Sequence, residues 1–187
     1  MTDARRHGPR RIPPPAGMTD VERLLAYQEI GQLAARYALA VGSCDTEALV
    51  ELFVPDVKVG RGVRGRDALR ASFDLHLRAA PVAILTVGQH VINLLEPERA
   101  AGTVYCIAEL GDERSWLRQA IAYEDDYERR DGEWYFTRRD HRLFYGLHLD
   151  ERPLLQEPAS WPASATGRGD IPQAWPTWQD YWHKPAD

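Results

Sequence analysis

Cysteine is scarce in this sequence: two residues, Cys44 and Cys106, in a chain of 187. They form no CxxC unit, which argues against a thiol-rich metal site and a disulfide-built scaffold. Both sit among apolar residues, where free thiols are usually buried. No run approaches 18 apolar residues, so no membrane span is expected. The basic start MTDARRHGPRRIPPPAGM lacks the apolar stretch of a secretory signal, and a cytoplasmic location is the default expectation. Positive charge is not in surplus either. The net charge is −5, which supplies nothing to drive phosphate-backbone binding, so no nucleic-acid partner is expected. Proline is sparse in the middle of the chain: three of 13 fall within residues 19–150, four in residues 1–18 and six in residues 151–187. Tryptophan is skewed as well, with four of six in the last 27 residues.

What is present suits one soluble domain. Hydrophobic residues make up 44% and charged residues 27%, a globular balance at a length that can bury a sizeable core. The division is threefold. Residues 1–18 form a basic, loose leader, residues 19–150 a folded domain, and residues 151–187 a Pro- and Trp-rich extension packed on the domain or on a partner subunit.

The domain opens with helices. Thr19 and Glu22 have capping-box spacing. Tyr27, Ile30, Ala34, Tyr37 and Val41 recur at three and four residues, one face of a helix that Gly42 and Ser43 end. Asp45 caps a short second helix, TEALVELF, stopped by Pro55. The glycines of KVGRGVRGRD lack the Lys-Ser/Thr of a phosphate loop, so they read as a turn into a third helix over 67–79. From Pro81 the period becomes two. Strands are expected over 84–95, 101–110, 116–129 and 133–145, with Asp131-Gly132 as a hairpin turn. Helices followed by an antiparallel meander give an α+β fold, a curved sheet enclosing the helices. Strands this long need bulges to curve.

His90 is the leading chemical candidate, a mid-strand imidazole on a face shared with Ile92 and Leu94. Tyr27 and Tyr37 on the first helix, and Tyr105, could donate hydrogen bonds to a developing oxyanion. Glu109 shares the strand face of Tyr105. Tyr123 and Asp125 share another face, with Arg139 and His141 across the hairpin. No HxH or HExxH pair points to a metal, and no cofactor motif occurs.

These pieces together resemble the SnoaL-like branch of the nuclear transport factor 2-like superfamily. The likeness rests on ARYALAVGSCDTEALVELFVPD, VRGRDALRASF, GQHVIN and YEDDYERRDGEWYFTRR, and covers about residues 20–148. It implies a cone with a deep apolar cavity. The nearest mechanistic comparison, the scytalone dehydratase and dehydrochlorinase type, places a histidine base on the first long strand, and His90 matches it. The family's orienting aspartate falls at Gly42, so that carboxylate is missing from its usual place.

The resemblance therefore implies a cofactor-free lyase or isomerase acting on a small apolar, cyclic or aromatic molecule. His90, Tyr37 and Tyr105 would be its catalytic groups, and Tyr27, Glu109, Tyr123, Asp125, Arg139 and His141 its pocket. The alternatives are a ligand-binding or assembly protein with the same pocket, and a structural protein like an oxygenase small subunit. An apolar outer sheet face implies a homodimer.

Overall fold

A computed structural model describes residues 6–60, 62–150, 153–160, 167–168, 173–174 and 176–183. Trp161 and Trp175, two of the four tryptophans in the Pro- and Trp-rich extension, lie outside them. Helix α1 (Asp20–Gly42) starts at the capping box: Glu22 N–H donates to the Thr19 hydroxyl, and Thr19 N–H donates to the Glu22 carboxylate at 2.7 Å. Its buried stripe runs through Ala26, Ile30, Leu33, Ala34 and Val41. Tyr27 is one step around the helix and 40% exposed, beside the leader residues Ile12 and Pro14. Helix α2 (Thr46–Glu51) is capped by the Asp45 carboxylate, which accepts from Ala48 N–H at 3.0 Å. The loose glycines build a two-stranded hairpin, β1 (Lys58–Val59) and β2 (Val63–Arg64), and Gly60 and Gly62 take the positive φ that favours glycine. Helix α3 (Arg66–Ala79) follows and buries Leu69 and Leu77.

Four long strands form one antiparallel sheet in sequence order: β3 (Val82–Glu96), β4 (Arg99–Gly111), β5 (Trp116–Arg130) and β6 (Glu133–His148). Asp131 and Gly132 both adopt positive φ, which lets a two-residue turn follow the twist of β5 and β6. The register shifts between Val87 and His90 in β3, and at Ala120/Ile121 and Asp126/Tyr127 between β5 and β6. Each shift bends the ladder and changes which residues point inward. The inner face packs on α1 through two apolar groups. Leu94, Ala100, Tyr127 and Phe136 meet Ile30 and Leu33 at one end. Val104, Cys106, Ala108, Ile121 and Tyr123 meet Ala34 further along. Phe136 also ties the layers through the backbone, since its N–H donates to Leu52 C=O and its C=O accepts from Val54 N–H.

The outer sheet face exposes apolar area: Tyr105 is 48% exposed and packs edge-on against Phe144, itself 61% exposed. At its other end the outer face meets the leader. Thr103 donates to His7 C=O, Asn93 donates to Arg6 C=O, and the Arg6 guanidinium pairs with Asp126. Among the last residues, helix α4 (Pro176–His183) docks on the ends of α1, α3 and β3. Thr177 donates to Ser43 C=O, Tyr181 to Asp74 C=O, and the Trp178 indole to Pro81 C=O. Tyr181 is buried against Val41, Cys44, Leu77 and Ala83.

Candidate functional site

The sheet curves away from α1 and α3 and leaves a cavity of about 750 Å³ between them. Its walls are mostly apolar, from Leu69 and Phe73 of α3 to Leu85, Ala108 and Ile121 of the inner sheet face. Tyr37, Tyr123, Arg139 and His141 line it too. That volume suits a small organic molecule.

Arg139 is the unusual member of that lining. Its side chain is 4% exposed, yet it carries a full positive charge. Three rings surround it: its guanidinium carbon lies 4.0 Å from the ring centre of Tyr123, 4.2 Å from Tyr37 and 4.6 Å from Phe136. Ring faces attract a desolvated cation and so offset part of its burial cost. The rest of the compensation is Asp125, 0% exposed, whose Oδ1 lies 3.1 Å from Arg139 Nε. Burial works against the charge on Arg139, but Asp125, together with Tyr37, Tyr123 and Tyr127, more than offsets it, so the guanidinium stays protonated. Burial in turn pushes the Asp125 carboxyl up to about 6, against the pull of Arg139.

The chain of polar groups continues away from the cavity. The Tyr127 hydroxyl donates to Asp125 Oδ2 at 3.0 Å, and His90 Nε2 lies 3.0 Å from the same hydroxyl oxygen. Tyr127 has one proton, and an ionised Asp125 takes it. His90 must then be the donor in the second bond, which fixes its proton on Nε2 and leaves the lone pair on Nδ1. Burial, helped by the charge of Arg139, pushes the His90 imidazole down to about 4, so it is neutral at physiological pH. Burial raises the hydroxyl pKa values of Tyr37, Tyr123 and Tyr127, and these groups stay protonated donors.

Cross-strand register builds this arrangement. Asp125 sits opposite Arg139 and Tyr123 opposite His141, while Gly102 faces Asp125 from β4. Gly102 makes room. A Cβ there would stand 2.7 Å from the Val91 carbonyl oxygen, 3.2 Å from His90 Nε2 and 3.3 Å from the Tyr127 ring. Gly102→Ala should therefore destabilise the protein by about 1–3 kcal/mol, the usual cost of overpacking a tight core. Thermal unfolding measures it; a Tm equal to wild type would mean that β3 and β4 separate freely here.

The expected site residues divide into two groups. His90, Asp125, Tyr123, Tyr37, Arg139 and His141 converge on the inner face, although His90 is not among the residues that line the cavity. Tyr27, Tyr105 and Glu109 are elsewhere. Glu109 bonds to the Trp116 indole and pairs with Arg118 at 3.4 Å, and Tyr105 faces outward. Tyr127 and Gly102 were not singled out by sequence reasoning. The signal for Tyr127 was its period-two spacing from Asp125; nothing in the sequence marks Gly102. Among the described residues no group of three His, Cys, Asp or Glu side chains is placed to hold a metal ion, and no helix is long and apolar enough to cross a membrane. Cys44 and Cys106 are buried free thiols, each pushed up to about 11 by burial.

The family model described as a SnoaL-like domain matches residues 22–140, a span that includes every group from His90 to Arg139. No curated protein matches the chain in sequence. Several solved structures do match in fold. A candidate scytalone dehydratase from Novosphingobium aromaticivorans has a TM-score of 0.63 at 21% identity, over 72% of this chain and 94% of that one. The hexachlorocyclohexane dehydrochlorinase LinA-type3 from Novosphingobium barchaimii has a TM-score of 0.63 at 22% identity, over 71% of this chain and 95% of that one. An NTF2-like protein with a cystatin-like fold from Novosphingobium aromaticivorans has a TM-score of 0.55 at 26% identity, over 68% of this chain and 92% of that one.

Proposed function

We propose that this chain, which belongs to the SnoaL-like domain family, is a cofactor-free lyase or isomerase for a small, largely apolar molecule. The observation that carries this reading is a cavity whose inner wall is a buried guanidinium, linked through Asp125 and Tyr127 to a neutral histidine. A fixed positive charge in an apolar cavity favours negative charge developing on a substrate oxygen, and the protonated hydroxyls of Tyr37 and Tyr123 stand in the same wall. His141, on the cavity wall two residues from Arg139, is the proton-transfer group. His90 is a positioning residue: its bond to Tyr127 fixes the acceptor that holds Arg139. Elimination is favoured over isomerisation, because two proteins of this fold carry the names dehydratase and dehydrochlorinase.

The test is a turnover screen with β-hydroxy and β-halo carbonyl compounds. His141→Ala should lower kcat by about 10²–10⁴. His90→Ala should lower it less, and His90→Gln, which keeps a donor for Tyr127, should recover part of the loss. Wild-type turnover in His141→Ala sinks the assignment of the base. One observation favours a second reading, a protein that binds its ligand unchanged. Gly42 leaves the end of α1 without a carboxylate, so no acid there orients an imidazole. Saturable binding without turnover across the screen selects that reading.

A further inference from the structure

The charge around the cavity is unbalanced, and the imbalance identifies a ligand class. Three cations line it, Lys58, Arg138 and Arg139, against one carboxylate, Asp140. Arg138 and Asp140 pair with each other, which leaves Lys58 at the rim and Arg139 at depth. Asp125 stands behind Arg139 and already shares its charge with the Tyr127 hydroxyl.

The geometry of Arg139 narrows the ligand further. Aromatic rings occupy the space around the guanidinium, and ring faces cannot accept its N–H groups in the plane of the fork. Nε faces Asp125 Oδ1 at 3.1 Å as an ion pair, and neither of these two buried atoms has a hydrogen-bond partner. Nη1 is buried and has no hydrogen-bond partner. A guanidinium offers its N–H groups in one plane, and the group that matches two of them side by side is a planar carboxylate. The remainder of the wall is apolar, from Leu69, Phe73, Leu85 and Ile121.

We propose that the cavity takes a small apolar carboxylate, with its carboxylate in the plane of the Arg139 guanidinium and its hydrocarbon part against α3 and the inner sheet face. This rests on the reading of the cavity as the ligand site, and it names the substrate class of that site. The anion completes the donor set that Asp125 leaves unfilled, and Lys58 raises the local concentration of anions at the mouth.

The experiment is calorimetric titration of the full chain with 2-naphthoate and with its neutral isostere 2-naphthamide, at pH 7.5. Wild type should bind the carboxylate about tenfold more tightly than the amide, the advantage of a charge-assisted pair over a neutral one. Arg139→Gln should erase that preference. Asp125→Asn should act in the opposite direction: it keeps an acceptor for Tyr127, frees Arg139 from its competitor, and tightens naphthoate while leaving naphthamide unchanged. A purely structural Arg139 predicts weaker binding of both ligands in both variants. If either buried variant fails to fold, the wild-type comparison and rim variant Lys58→Gln still decide. That variant should weaken naphthoate alone and flatten its salt dependence. Naphthamide bound as tightly as naphthoate in wild type overturns the carboxylate assignment and leaves the cavity reading standing. Failure of both ligands to bind overturns the two together.

Discussion

Asp125→Ala should cost the protein about 3–5 kcal/mol of folding stability, the loss expected when one partner of a buried ion pair is removed. The reason is the charge left behind. Arg139 is 4% exposed, so water cannot replace the carboxylate that now lies 3.1 Å from its Nε. The aromatic rings around it supply part of the attraction, each such contact being worth roughly 2 kcal/mol when desolvated, but they accept none of its N–H groups. Tyr127 also loses its acceptor, which strands a buried hydroxyl. Urea unfolding measures the loss as a lower midpoint at constant slope. The double variant Asp125→Ala with Arg139→Met should recover most of it, because removing both charges removes the uncompensated one. Exposed pairs on the same sheet give the contrast. Arg142 and Glu124, 3.9 Å apart with Arg142 67% exposed, should be worth no more than about 1 kcal/mol. A loss that small for Asp125→Ala would mean that the aromatic cage alone holds Arg139.

How far the sequence reaches into this structure depends on the range of the signal. The Thr19–Glu22 box, the Asp131-Gly132 turn and the four strand spans are local, and local chemistry decides them. The pattern of family residues carried the cone as well. Facing is different. Period two divides β4 into Tyr105 with Glu109 and Val104 with Ala108, but it does not say which set turns inward. The structure turns the small and aliphatic set inward, because that face packs against α1 and there is little room beside Ala34. In β3 the register shift after Val87 changes the inward set from Leu85 and Val87 to His90 and Ile92. The bulge arises from pairing with β4, so periodicity within β3 cannot reveal it. The same limit hid the bond between His90 and Tyr127, 37 residues apart. The leader shows the limit in composition: a basic, proline-rich stretch gives no hint that His7 lies 3.1 Å from the Asp126 carboxylate.

The buried chain should also give the protein two pH dependences that oppose each other, and single substitutions should uncover them. The His90 imidazole is pushed down to about 4 from its ordinary 6.5. Between those values the unfolded chain binds a proton that the folded chain does not. The stability this contributes is present above 6.5 and is lost as pH falls toward 4. Asp125 is pushed up to about 6 from 3.8. In that interval the folded chain holds a proton that the unfolded chain has released. Its contribution is present below 3.8 and is lost as pH rises through 6. Over pH 4–6 the two slopes cancel in wild type, each being at most about 1.4 kcal/mol per pH unit for one proton. His90→Gln removes the first, so its stability relative to wild type should fall as pH rises across that window. Asp125→Asn removes the second, so its relative stability should rise with pH, even though its absolute stability is lower throughout. Taking each variant against wild type at the same pH cancels the carboxylates that titrate elsewhere in the molecule. Urea midpoints at three pH values across the window give both slopes. Slopes of the same sign would break the argument, because then His90 and Asp125 would not be shifted in opposite directions by the burial they share.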